Sequence, residues 1–187
     1  MRKHAKTISS IGTDPLWVLV WLIVLGYIFL SRYSVTTEDF LGMIILTVWT
    51  FTAGLILRKT LNLESKDRRY RTYLLSAITA GWICVSLIYW EFFSAFFQEA
   101  LLIAFFIIVV LTIINVFYRI SFHVGLSTSL LILVNHFSGW ILLPLFLIVP
   151  LIGWSRVELN KHTVAQVIAG FLVPFVVYFL LMTTIFN

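Results

Sequence analysis

Ser155-Arg156-Val157-Glu158-Leu159-Asn160-Lys161-His162-Thr163-Val164-Ala165-Gln166 is a polar, partly charged stretch between two strongly apolar runs. Charge is expensive to bury in hydrocarbon. A polar join of this kind reads as the point where a chain leaves and re-enters a membrane, and ionisable residues held there mark a candidate site. The internal spacing is specific: Ser-Arg, five residues, His, three residues, then a polar side chain. Working outward, Ile120-Ser121-Phe122-His123 sits at another such boundary.

Composition agrees with that reading. Of 187 residues, 61% are hydrophobic and only 11% are charged. A soluble domain of this size is about half apolar and about a quarter charged. The excess apolar residues fall in long runs, which predicts an integral membrane protein built as one transmembrane domain over 1–187. The longest polar stretch runs from about Arg58 to Thr72, too short for an aqueous domain. The single cysteine, Cys84, excludes an intrachain disulfide. No cluster of metal-ligand spacing and no Gly-rich loop occurs, so neither a metal nor a cofactor is expected. The expected partners are membrane lipids, with no nucleic acid among them.

Seven apolar segments follow along the chain: Leu16 to Leu30, Phe40 to Leu57, Tyr73 to Trp90, about Glu99 to Phe117, His123 to Asn135, Trp140 to Trp154, and about Thr163 to Ile185. The first is entered through Thr13-Asp14-Pro15, a cap followed by a Pro at the first turn, and is read as a retained anchor. Backbone groups in hydrocarbon must be satisfied within the segment, and these runs lack the alternation of barrel strands, so all are expected to be helical. The fold class is therefore all-α, a polytopic bundle of six to seven membrane segments. The fifth and sixth segments, joined by His136-Phe137-Ser138-Gly139, are expected to form a tight helical hairpin. Trp17, Trp90, Trp140 and Trp154 lie near segment ends, where interfacial aromatics gather.

Counting spans sets the sidedness. With seven spans the N-terminus and the loops at 58–72, 118–123 and 154–162 share a side. That side carries Arg2, Lys3, Lys6, Arg58, Lys59, Lys66, Arg68, Arg69, Arg71, Arg119, Arg156 and Lys161, leaving only Arg32 of the 13 basic residues for the other. The positive-inside rule then puts the N-terminus, His123 and His162 at the cytoplasmic face, with the cell (inner) membrane as the expected location. A phosphate-handling site needs converging cations, helix N-termini aimed at an anion, and a nucleophile or base. Ser121, His123, Arg156 and His162 open helices on that side, and Arg58 to Arg71 supplies a basic strip.

These residues resemble the type 2 phosphatidic acid phosphatase superfamily over about residues 58–175. Its third motif, Ser-Arg, five residues, His, three residues, Asp, is similar to Ser155, Arg156 and His162, with Gln166 in place of the Asp. Its second, Pro-Ser-Gly-His, aligns with Ile120-Ser121-Phe122-His123. Its first, Lys, six residues, Arg-Pro, aligns with Lys59 and Lys66, followed by Asp67. The resemblance implies hydrolysis of a lipid or isoprenyl monophosphate or diphosphate. It makes His162 the nucleophile that forms a phosphohistidine, and His123 the acid that protonates the leaving alkoxide. Arg156, Ser121, Ser155 and Lys59 or Lys66 would hold phosphoryl oxygens. Such chemistry rests on positioning and charge stabilisation, which a planar Arg fork supplies.

The departures carry chemical meaning. Gln166 lies four residues after His162, on the same helical face. Its carbonyl can fix a histidine tautomer, but it brings no negative charge. Phe122 replaces a glycine that lets backbone approach phosphate closely. Two further readings stay open on the residues alone: a non-catalytic lipid-binding or assembly protein of the same bundle, and a small transporter subunit. His136, Asn115 and Asn135 read as packing or hydrogen-bonding groups, Glu99 as a flank of the far-side loop, and Cys84 as a small apolar packer.

Overall fold

The computed structural model describes residues 4, 5, 7, 8, 36–61, 77, 78, 80–84, 86–88 and 90–185. The first apolar segment, the basic strip at 62–71 with Lys66, the N-terminal cations and Asn187 lie outside them. Among the described residues the chain is all-helical, with no strand. The helices are α1 (Thr37–Leu61), α2 (Ala95–Phe117), α3 (Phe122–Phe137), α4 (Ile148–Glu158) and α5 (Val164–Thr184), with helical turns also within 77–88. Short 3-10 stretches at Trp90–Phe92 and Leu143–Leu147 precede α2 and α4. Two helices, α2 and α5, are long and apolar enough to cross a membrane. At 1.5 Å per residue they measure ~35 and ~32 Å.

The α5 helix shows why apolar length alone does not make a soluble core. Gly170, Pro174, Val177, Tyr178 and Leu181 form a buried stripe at helical spacing. Leu172, Val176, Phe179 and Leu180 are exposed on the other side. A helix facing water would be polar there. Only 28% of the most apolar stretch of α5, and 33% of that of α2, is buried in the fold.

Capping explains where the helices begin. Thr36 and Asp39 exchange hydrogen bonds at the start of α1: Asp39 N donates to Thr36 Oγ1 and Thr36 N to Asp39 Oδ2. Asp39 is 1% exposed and its other oxygen accepts from Ser94 N at 2.9 Å, which brings the starts of α1 and α2 together. Ser94 in turn caps α2 by accepting from Phe97 N. The expected start near Glu99 is thus four residues late, because the Ser94 cap lies ahead of the purely apolar stretch.

The core joins α2, α3 and α5. Ile103, Ile107 and Leu111 of α2 present one face to Ile132 of α3 and to Val177, Tyr178 and Leu181 of α5. Where α3 crosses α5 the backbones nearly touch. A Cβ on Gly170 would lie 2.6 Å from the Ser121 carbonyl oxygen, and one on Gly125 would lie 3.5 Å from the Gly170 carbonyl. Small residues permit this close approach of two helix backbones.

The sixth apolar segment departs from expectation. Trp140 to Trp154 is not one helix and no tight helical hairpin follows α3. Gly139 (φ 66°) and Trp140 (φ 64°) turn the chain through left-handed backbone, a 3-10 stretch follows, and α4 begins only at Ile148. Pro144 and Pro150 lie within that apolar run, and each lacks the N–H that a continuous helix would use.

Candidate functional site

The stretch from Ser155 to Gln166 runs from the end of α4 through a short turn into the start of α5. The α4 helix ends at Glu158, and Asn160 adopts left-handed backbone (φ 53°). Asn160 N donates to Val157 O at 2.9 Å and Lys161 N to Arg156 O at 3.0 Å. This pair of bonds, with a left-handed residue between helix end and exit, is a Schellman turn, and Asn is one of the few residues that tolerate that backbone. His162 N also reaches Arg156 O, at 3.3 Å. The five residues between Arg156 and His162 are the length this turn needs to close on the arginine carbonyl. Asn160→Val should therefore cost about 1–2 kcal/mol, read as a lower Tm, whereas Asn160→Gly should leave Tm near that of the parent.

The next step fixes the histidine. Thr163 caps α5: its hydroxyl accepts from Gln166 N at 3.3 Å, and Gln166 Oε1 accepts from Thr163 N at 3.1 Å. This reciprocal box satisfies two helix-end donors. Gln166 Oε1 also lies 3.2 Å from His162 Nδ1. Because Thr163 N–H identifies that atom as the amide oxygen, an acceptor only, Nδ1 carries the hydrogen. In the neutral ring Nε2 then keeps the lone pair.

The second motif is tied to the same place. Ser121 N donates to Gln166 O at 3.0 Å, so the start of α3 sits on the first turn of α5. Ser121 is fully buried, and its hydroxyl has no hydrogen-bond partner. Such a group costs about 1–3 kcal/mol when left so. His123, half-buried, lies in the first turn of α3. Arg156 is 6% exposed, in the last turn of α4, where a cation also suits the helix dipole.

Ser121, Arg156, His162 and Gln166 thus belong to one hydrogen-bonded junction, with His123 two residues from Ser121. Ser155 is fully buried, and its hydroxyl donates to Ile152 O at 2.7 Å, which commits it to its own helix. Lys59 is exposed in the last turn of α1, and among the described residues no hydrogen bond or ion pair ties it to the junction. No group of three or more potential metal ligands occurs among the described residues.

Comparison with family models, with curated proteins and with solved structures finds no match to this chain.

Sequence reasoning missed two things in this junction. Thr163 was legible as a cap, since Thr followed three residues later by Gln is the capping-box pattern. Gly170, eight residues after His162, sits where only a glycine lets the Ser121 backbone approach.

Proposed function

We propose that this protein is a membrane-embedded phosphatase of the type 2 phosphatidic acid phosphatase kind, acting on a lipid or isoprenyl phosphate. The observation that carries the proposal is the orientation of His162. Its Nδ1 hydrogen is held by Gln166, so the nitrogen left with a lone pair is Nε2. In the proposed reaction Nε2 attacks phosphorus, the bond from phosphorus to the alkyl oxygen breaks, and His123 gives that oxygen a proton. Water then attacks the phosphohistidine, the P–N bond breaks and His123 takes the water's proton. Arg156 is assigned to the equatorial phosphoryl oxygens, and a phosphoryl oxygen is the partner assigned to the buried Ser121 hydroxyl. Lys59 and Lys66 are assigned to the outer phosphate.

Phosphate release from a panel of acyl and isoprenyl mono- and diphosphates, by purified protein in micelles, tests the reading. Gln166 provides a finer test. Gln166→Ala should lower the rate about 10- to 100-fold, the scale seen for groups that orient a reactive histidine at a metal. Gln166→Asp should keep or raise the rate, because a carboxylate stabilises the imidazolium. Indifference to both changes would remove Gln166 from the mechanism.

A second reading has its own support. The capping box already gives Gln166 and Thr163 a structural task, and Ser155 is committed to its helix. A lipid-binding protein on the same bundle would keep all of these contacts without turnover. It would bind lipid phosphates and release no phosphate from any of them.

The proposal includes six to seven membrane segments and a junction that opens to the cytoplasm. Single cysteines at Lys59 and Glu91, in a Cys84→Ala background, test the sidedness. In intact cells an impermeant thiol reagent should label the Glu91 position and spare the Lys59 position until lysis. Labelling of the Lys59 position from outside would reverse the orientation.

A further inference from the structure

At the end of the bundle away from the junction, three helices each contribute one polar side chain to a single row. His136, in the last turn of α3, holds Nδ1 2.8 Å from the Tyr178 hydroxyl of α5. Its Nε2 is 3.1 Å from Glu99 Oε1 of α2. Exposure falls along the row: 30% for the Glu99 side chain, 20% for that of His136, and 4% for Tyr178. Tyr178 is held between aromatic edges, its ring centroid 5.6 Å from that of His136 and 5.8 Å from that of Trp140. It also belongs to the central core with Ile103 and Ile107. The wet end of the row is therefore a carboxylate and an imidazole, and the dry end is a phenol inside the core.

The bonding along this row depends on one proton. Neutral imidazole has one donor nitrogen and one acceptor nitrogen. A carboxylate only accepts, so Nε2–H points to Glu99 and Nδ1 accepts the Tyr178 O–H. A second ring proton makes both nitrogens donors. The phenol oxygen must then accept from Nδ1–H, and its own hydrogen must turn away.

We propose that Glu99, His136 and Tyr178 form a proton-binding site on the face opposite the junction, in which uptake of one proton at His136 Nδ1 reverses the Tyr178 hydroxyl from donor to acceptor inside the core. The proton comes from water at the exposed edge of Glu99 and His136. No bond between heavy atoms forms or breaks, and no electron moves. Among the described residues the titratable groups facing His136 are Glu99 from α2 and Tyr178 from α5. The 140–147 segment, which follows α3 at that end, carries none. Glu91, on the turn ahead of α2, is exposed, and Asp39 is committed to Thr36 and Ser94. The imidazole can hold one or two ring protons, so the site responds to proton activity at that face. This inference does not depend on phosphatase activity.

The test uses the full chain in lipid nanodiscs, with tyrosine labelled with carbon-13 at the ring carbon that bears oxygen. Between about pH 8 and 5, one of the seven tyrosine signals should move reversibly. The movement should vanish in Tyr178→Phe and in His136→Gln and persist in His162→Gln. Persistence in a folded His136→Gln protein, or no movement in the parent, would overturn the proposal. If His136→Gln does not fold, nitrogen-15 histidine spectra of Tyr178→Phe decide, since that variant keeps the imidazole–carboxylate pair. With the signals of His4, His123 and His162 assigned by substitution, the fourth histidine must then gain a proton over the same range. No such titration apart from theirs would equally overturn the proposal.

Discussion

On the proposed mechanism, His162→Ala should reduce phosphate release to background, a loss on the order of 10³-fold or more, the scale of removing a covalent nucleophile. The variant should still fold. The reciprocal Thr163–Gln166 bonds that cap α5 do not need the 3.2 Å contact between the imidazole and Gln166. Alanine keeps the backbone N–H that reaches the Arg156 carbonyl. The variant should bind lipid phosphate with affinity near that of the parent while turning none over. In the parent, brief exposure to labelled substrate should trap an acid-labile, base-stable phosphoenzyme that is missing from the variant. Release at the parental rate from a folded His162→Ala protein would remove the covalent step and the nucleophile together.

Arg156→Ala should lower the rate about 10²- to 10³-fold, the usual loss when one aligned donor to a transition-state oxyanion is removed. Arg156→Lys should recover only part, because an ammonium is a point charge without the planar fork. The same change tests a structural alternative. Arg156 is 6% exposed, so its removal can also loosen the end of α4. Tm separates the two: a catalytic contact predicts a rate loss in both variants with little change in Tm for lysine. Full activity in Arg156→Ala would remove the arginine from the site.

The helices were legible in the sequence because the apolar runs are long and their polar interruptions few. The boundaries were less so. Ser94 lies outside the apolar run it caps, and Thr36 and Asp39 are short polar residues whose pairing depends on backbone direction. Trp140 to Trp154 reads as one apolar run by composition, yet left-handed backbone at Gly139 and Trp140 and a 3-10 stretch containing Pro144 keep α4 from starting before Ile148. Of the candidate site the sequence offered a spacing, and backbone hydrogen bonds join Ser121 to Gln166 and His162 to Arg156. The reason for the spacing was not legible: one turn geometry and one capping box set the interval between Arg156 and His162. The row at the other end was invisible for a different cause. Glu99, His136 and Tyr178 come from three helices, 37 and 42 residues apart from the histidine, and no local pattern announces a contact over such intervals.

The turn between α4 and α5 also says which changes evolution can accept. Its positions answer to backbone geometry, so they should drift less than the side chains that choose a substrate. A relative without the proposed chemistry that kept the bundle would still need Asn or Gly four residues after the arginine, Ser or Thr directly after the histidine, and Gly eight residues after the histidine. One that kept the chemistry on a different scaffold would need none of these. Retention of those three positions in chains lacking the arginine or histidine would therefore mark inherited architecture, and it would separate decayed catalysts from unrelated proteins that converged on the same spacing.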